Sequence, residues 1–160
     1  MFLLSPRSRR KVDMHSRRRR RPTRVLLVED NDAYAGTLES IFLASDRVEV
    51  VGRARDGAEG IGLAFALEPD CVLMDLSMPI IDGLEATRAI CSRLPLVRVV
   101  ILTSSDDPGD RAHARAAGAG SYLTKGCSLR ELESAVTRGR VTRLLPPPSQ
   151  AVVTTELAAS

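Results

Sequence analysis

The sequence predicts an α/β protein built on an open, doubly wound sheet of parallel strands. Two observations predict it. Short apolar runs alternate five times with longer stretches whose apolar residues recur at helical spacing. The short runs are apolar without alternation, as expected of strands covered by helices on both faces. A repeated strand–helix order implies parallel neighbours joined by right-handed crossovers. Five units in about 115 residues cannot close an eight-stranded barrel, so the sheet stays open.

The first strand is predicted at 25–28 (VLLV), and its helix at 34–44, where Leu38, Ile41 and Phe42 share one face. Ser45 and Asp46 break the chain before the second pair, a strand at 48–51 and a helix at 58–67. Pro69 precedes the third pair, at 71–74 and 84–94, and the fourth pair covers 99–102 and 110–117. Gly118, Ala119 and Gly120 separate that helix from the fifth strand at 122–123. The last helix runs over 129–136, with Leu129, Leu132 and Val136 at 3.6-residue spacing.

Composition bounds the function. The 160 residues allow one domain of ordinary size, and 44% hydrophobic with 27% charged residues suits a soluble globular body. With no Trp, two Tyr and three Phe, the core must be aliphatic, which argues against stacking platforms for single-stranded nucleic acid. Cys71, Cys91 and Cys127 are odd in number and lack zinc spacing, so reduced thiols in a cytoplasmic protein are expected.

The net charge of +3 averages two unlike parts. Residues 1–24 hold ten basic side chains and one acid, whereas the rest holds 13 basic and 19 acidic residues, a net of −6. Residues 1–23 lack periodicity and repel themselves, so they are expected to be a disordered Arg-rich arm. Any nucleic-acid binding is expected to fall to that arm alone. No apolar run reaches the roughly 18 residues of a membrane span, and no membrane partner is expected. Residues 141–160, with Pro146, Pro147 and Pro148, read as a stiff linker or tail, and the twelve residues after Pro148 are too few to fold.

In such sheets ligands bind beyond the carboxyl ends of the strands. The first strand ends in Glu29 and Asp30, the third in Asp75 and the fourth in Thr103, while Lys125 follows the fifth. Three converging carboxylates repel unless a cation sits among them, and hard oxygen ligands without His or Cys select Mg²⁺. Magnesium, an ammonium and a hydroxyl together complement a phosphoryl group, and an aspartate can itself become an acyl phosphate. Asp75, on a central strand, is the best placed nucleophile. Taken singly, each of these residues is more often a helix cap, a turn residue or a surface charge. Their joint occurrence at four strand ends favours a site.

The segments VLLVEDND at 25–32, VLMDLSMP at 72–79 with Asp82 and Gly83, VILTS at 100–104 and YLTK at 122–125 resemble the receiver domain of two-component response regulators, over residues 24–140. The wording around Asp75 and Lys125 is most similar to regulators with a LuxR-type helix-turn-helix output domain. The resemblance implies a flavodoxin-like fold with strand order 2-1-3-4-5. It implies that Asp75 accepts a phosphoryl group from a histidine kinase. Asp30, Asp75 and the Ser77 carbonyl would hold Mg²⁺, with Glu29 acting mostly through a water. Lys125 would pair with the phosphoryl oxygens, while Thr103 and Tyr122 would switch together. The fourth and fifth strand–helix units would then present an altered face to a downstream protein or a second copy.

A bacterial signalling module rather than an enzyme is the expectation. Gly126 stands where that family commonly has Pro or Asp, and no output domain follows the linker, so action through protein contact or a receiver parted from its output is expected. Two rivals remain: a receiver-like binding module that never takes phosphate, and an aspartate-nucleophile phosphatase of the haloacid dehalogenase kind. The latter calls for an acid where Ser77 stands.

Overall fold

The computed structural model describes residues 21–138. The expectations for residues 1–20 and for the tail from 139 onward lie outside this range. Ten elements alternate without exception: β1 (Thr23–Val28), α1 (Asp32–Leu43), β2 (Val48–Ala54), α2 (Gly57–Leu67), β3 (Cys71–Met74), α3 (Gly83–Arg93), β4 (Arg98–Thr103), α4 (Pro108–Ala116), β5 (Ser121–Thr124) and α5 (Leu129–Thr137). The strands form one parallel sheet in the order β2-β1-β3-β4-β5, with β3 in the centre. This is the order the resemblance implied.

Alternate side chains of each central strand serve opposite faces. Leu26, Val28, Val72, Met74, Val99 and Ile101 pack with Ala64, Ala86, Ile90 and Ala114 from α2, α3 and α4. Val25, Leu27, Leu73, Val100 and Leu102 pack with Leu38 and Phe42 of α1 and Leu132 and Val136 of α5. Each fully buried aliphatic side chain contributes about 1.5–3 kcal/mol through burial. The two cores explain why the runs of β1, β3 and β4 carry no polar alternation.

The edges differ from that expectation. Strand β5 is half-buried throughout, and β2 is buried only at its two ends, with one exposed and four half-buried positions between. Strand β2 also continues to Ala54, three residues beyond the apolar run, because its pairing with β1 resumes after a register shift that leaves Val51 out of step. Backbone hydrogen bonds carry an edge strand through polar residues, which an apolar-run reading misses. Helix α4 begins at Pro108 rather than 110, since Pro suits a first turn and the Asp107 side chain caps it by accepting from Gly109 N.

Every helix starts on a side-chain cap. Asn31, Asp56, Asp82, Asp107 and Ser128 accept backbone N–H groups from Tyr34, Glu59, Glu85, Gly109 and Glu131. None of these caps is Glu29, Asp30 or Asp75. The strand-end acids therefore have no role as helix caps. Among the described residues no helix is long and apolar enough to cross a membrane.

Candidate phosphoryl-acceptor site

Register aligns the strand ends. Val28 pairs with Met74, Met74 with Ile101 and Thr103 with Thr124, so the residues that follow emerge on one edge. The Asp75 N–H donates to the Val28 carbonyl (3.0 Å), and the Lys125 N–H donates to the Thr103 carbonyl (2.6 Å). Glycine is required where α3 starts against this edge. A Cβ on Gly83 would lie 2.0 Å from the Asp75 carbonyl oxygen.

The sequence-predicted residues meet as follows. One carboxylate oxygen from each of Glu29, Asp30 and Asp75 lies within 4.8 Å of the others. Glu29 and Asp75 are buried, while Asp30 is exposed at the mouth. Lys125 Nζ sits 2.7 Å from Glu29 Oε2 and 3.0 Å from Asp75 Oδ2. The Asn31 N–H donates to Glu29 Oε1 (3.1 Å), and the Ser77 N–H approaches Asp75 Oδ1 at 3.4 Å.

Two buried carboxylates thus share one ammonium. Burial pushes the Glu29 carboxyl above the usual range, with Asp75 adding repulsion and Lys125 and Asn31 offsetting part of it. Burial alone would lower Lys125, but its hydrogen bonds to Glu29 and Asp75 outweigh that and hold it above an ordinary lysine. The site is short of positive charge. An all-oxygen donor set with a surplus negative charge and one exposed edge fits Mg²⁺, which keeps part of its water shell.

Thr103 is buried at the end of β4, and its hydroxyl oxygen takes the Ser105 N–H (3.3 Å). Tyr122 is half-buried on β5; its hydroxyl donates to the Ser105 carbonyl (2.9 Å), and the Arg111 guanidinium lies 4.7 Å from its ring centre. Thr103 and Tyr122 therefore both hold the loop after β4. Ser77 lies in the loop after β3, next to Pro79, Ile80 and Ile81. There the Ile81 N–H donates to the Pro79 carbonyl (2.9 Å), and Ile80 bends through φ 71°, a tight turn that is strained for a β-branched residue.

Strand-end reasoning missed two contributors. Tyr34 presents its ring to Lys125, with Nζ 4.6 Å from the ring centre. Asp32 pairs with Arg53 and with Arg55 (3.2 Å), which tie the start of α1 to the end of β2. Asp30 precedes the Asn31 cap and lies outside α1, so no helical spacing links it to Tyr34 in the sequence.

A doubly wound parallel sheet with acids, a lysine and a buried hydroxyl at one edge defines an open α/β module with an acidic, oxygen-rich candidate site. The chain belongs to the response regulator receiver domain family, whose pattern it matches over residues 25–137. It is 41% identical over 113 residues to the transcriptional regulatory protein LiaR of Bacillus subtilis (strain 168), covering 71% of this chain and 54% of LiaR. To the response regulator GacA of Pseudomonas viridiflava it is 39% identical over 113 residues, with 71% and 53% covered. The chain spans about half the length of these relatives. Its fold is similar to the receiver domain of the response regulator NarL from Mycobacterium tuberculosis, at 31% identity and a TM-score of 0.70, over 73% of this chain and 94% of that one.

Proposed function

We propose that this chain is a phosphorylation-driven switch in which Asp75 takes a phosphoryl group from the phosphohistidine of a histidine kinase. The observation that carries this reading is the shared ammonium, with Lys125 bridging Glu29 and Asp75 beside a third acid, Asp30. An Asp75 carboxylate oxygen attacks phosphorus, the phosphorus–nitrogen bond breaks, and the imidazole leaves with the bonding pair. The product is an acyl phosphate. Glu29, Asp30, Asp75 and the Ser77 carbonyl are the residues to hold Mg²⁺, which supplies charge neutralisation at the phosphoryl oxygens.

Lys125 exchanges its contact with Asp75 for one with a phosphoryl oxygen. Thr103 stands ready as a hydroxyl donor, and its move would release Ser105 and, through it, Tyr122. Two packings of that ring give the fourth and fifth strand–helix units two faces. The output is then contact with a downstream protein or a second copy, in the cytoplasm. LiaR of Bacillus subtilis is a transcriptional regulatory protein, which supports an output of that kind here.

Incubation with acetyl phosphate and Mg²⁺, read by intact mass, tests this. Wild type should gain one phosphoryl group and Asp75→Asn none. Multiple turnover of a phosphate ester would point to a phosphatase, and no gain under any donor to a pure binding module.

A further inference from the structure

We propose that Tyr34 is a positioning residue for phosphoryl transfer: its ring face holds the Lys125 ammonium beside Asp75, where it can take up a phosphoryl oxygen. This rests on the phosphoacceptor reading above and extends it to a residue that no strand end carries.

The placement is built into the start of α1. Asn31 caps the helix by accepting the Tyr34 N–H (2.9 Å), which fixes Tyr34 in the first turn. The half-buried ring backs onto the core layer shared by α1 and α5, together with Leu123 and Cys127 from the β5–α5 side. Lys125 Nζ lies over the ring, 4.6 Å from its centre. That is inside the roughly 6 Å range over which a ring quadrupole attracts a cation.

The chemistry explains why a ring suits this position. An ammonium has three N–H donors. Glu29 Oε2 and Asp75 Oδ2 engage it at 2.7 and 3.0 Å. A third carboxylate would hold Lys125 more tightly and add repulsion to a site already short of positive charge. A ring face attracts the cation without accepting a conventional hydrogen bond, so a donor stays available for the incoming oxygen. The Lys125 side chain is only 18% exposed, so the attraction acts with little screening by water. Lysine's long flexible stem otherwise lets the ammonium wander once Asp75 is modified and its charge redistributed. Tyr34 keeps it in reach.

The test uses the full chain, acetyl phosphate and Mg²⁺, with the phosphorylation rate read by intact mass. Four variants are compared with wild type: Tyr34→Phe, Tyr34→Leu, Lys125→Ala, and Tyr34→Leu with Lys125→Ala. Contacts of this kind are worth a factor of about 2 to 30. Tyr34→Leu, which keeps the apolar volume but has no ring face, should slow phosphorylation by about threefold or more. Tyr34→Phe should restore the rate to within about twofold, since the ring face remains. In the Lys125→Ala background Tyr34→Leu should cost nothing further, because its effect passes through the ammonium. Melting temperatures of the two Tyr34 variants give the packing contribution separately.

A Tyr34→Leu rate equal to wild type, with Lys125→Ala slow, would overturn the inference and leave the phosphoacceptor reading standing. A loss in Tyr34→Phe as large as in Tyr34→Leu, or an undiminished Tyr34→Leu effect without Lys125, would also overturn it. A Lys125→Ala rate equal to wild type would overturn it as well, because the ammonium would then not assist transfer, whereas no mass gain in wild type, or a gain in Asp75→Asn, would strike the underlying reading.

Discussion

The carbonyl oxygen of Asp75 lies against Gly83, so close that a Cβ on that glycine would sit 2.0 Å away. The Gly83 N–H donates to the Leu76 carbonyl (3.1 Å), and the start of α3 is thereby clasped to the backbone around the acceptor residue. The atoms in the way are backbone atoms of Asp75 and Leu76, just after β3, which cannot rotate aside.

Gly83→Ala should therefore destabilise the fold by about 2–3 kcal/mol, the upper part of the range for overpacking. Gly36→Ala is the control, because nothing lies within 4 Å of its Cβ and it stands in the interior of α1. That change should stabilise by up to about 1 kcal/mol. Urea denaturation of both variants measures the contrast, and similar midpoints would contradict it.

Metal binding separates Asp30 from Lys125. Asp30→Ala removes one of three converging carboxylates and should weaken Mg²⁺ by about tenfold or more. Lys125→Ala removes the ammonium that competes for Glu29 and Asp75, so Mg²⁺ should bind at least as tightly while phosphorylation weakens. Calorimetric titration with MgCl₂ reads both. Weaker Mg²⁺ binding in Lys125→Ala would count against this division of roles.

The start of α5 should report pH. Hydrogen bonds from the Ser128 hydroxyl and N–H hold the Glu131 carboxyl below its ordinary value. A lowered pKa in the folded state means that this stabilisation is present above the unfolded value and fades as pH falls through the folded one. Ser128→Ala should lower the melting temperature at neutral pH. The gap from wild type should narrow on acidification below the usual carboxylate range. A gap that widens would contradict the capping box.

The thiols should differ in reactivity. Cys71 is fully buried at the start of β3, and burial pushes its thiol up to about 11. Cys91 and Cys127 are half-buried, and burial raises them too. Maleimide at neutral pH should label Cys91 and Cys127 first, and Cys71 only on unfolding, because the thiolate is the reactive form. Early labelling of Cys71 would show that β3 opens locally.

Much of this was legible in the sequence for a physical reason. A strand buried on both faces must be apolar throughout, so β1, β3 and β4 announce themselves, and the polar residues that end them stand out. Glu29, Asp30, Asp75 and Thr103 stand out in that way, whereas Lys125 follows the half-buried edge strand β5. The edge strands were harder to read, because β2 is held past Val51 by backbone pairing that carries no side-chain signature. Tyr34 was hidden by type, since an aromatic at helical spacing reads as core, and only the position of Lys125 across the sheet edge reveals its second role. The strained bend at Ile80 left no trace either, because Gly or Asn is what a positive φ leads one to expect.

The most direct test of the central claim is to trap the acyl phosphate chemically. Wild-type protein phosphorylated with acetyl phosphate and Mg²⁺ is reduced with borohydride, which converts an aspartyl phosphate to homoserine, and the peptides are sequenced by mass spectrometry. Homoserine at position 75, dependent on Mg²⁺, is the predicted result. Homoserine at Asp30 or another carboxylate, with position 75 unchanged, would contradict it.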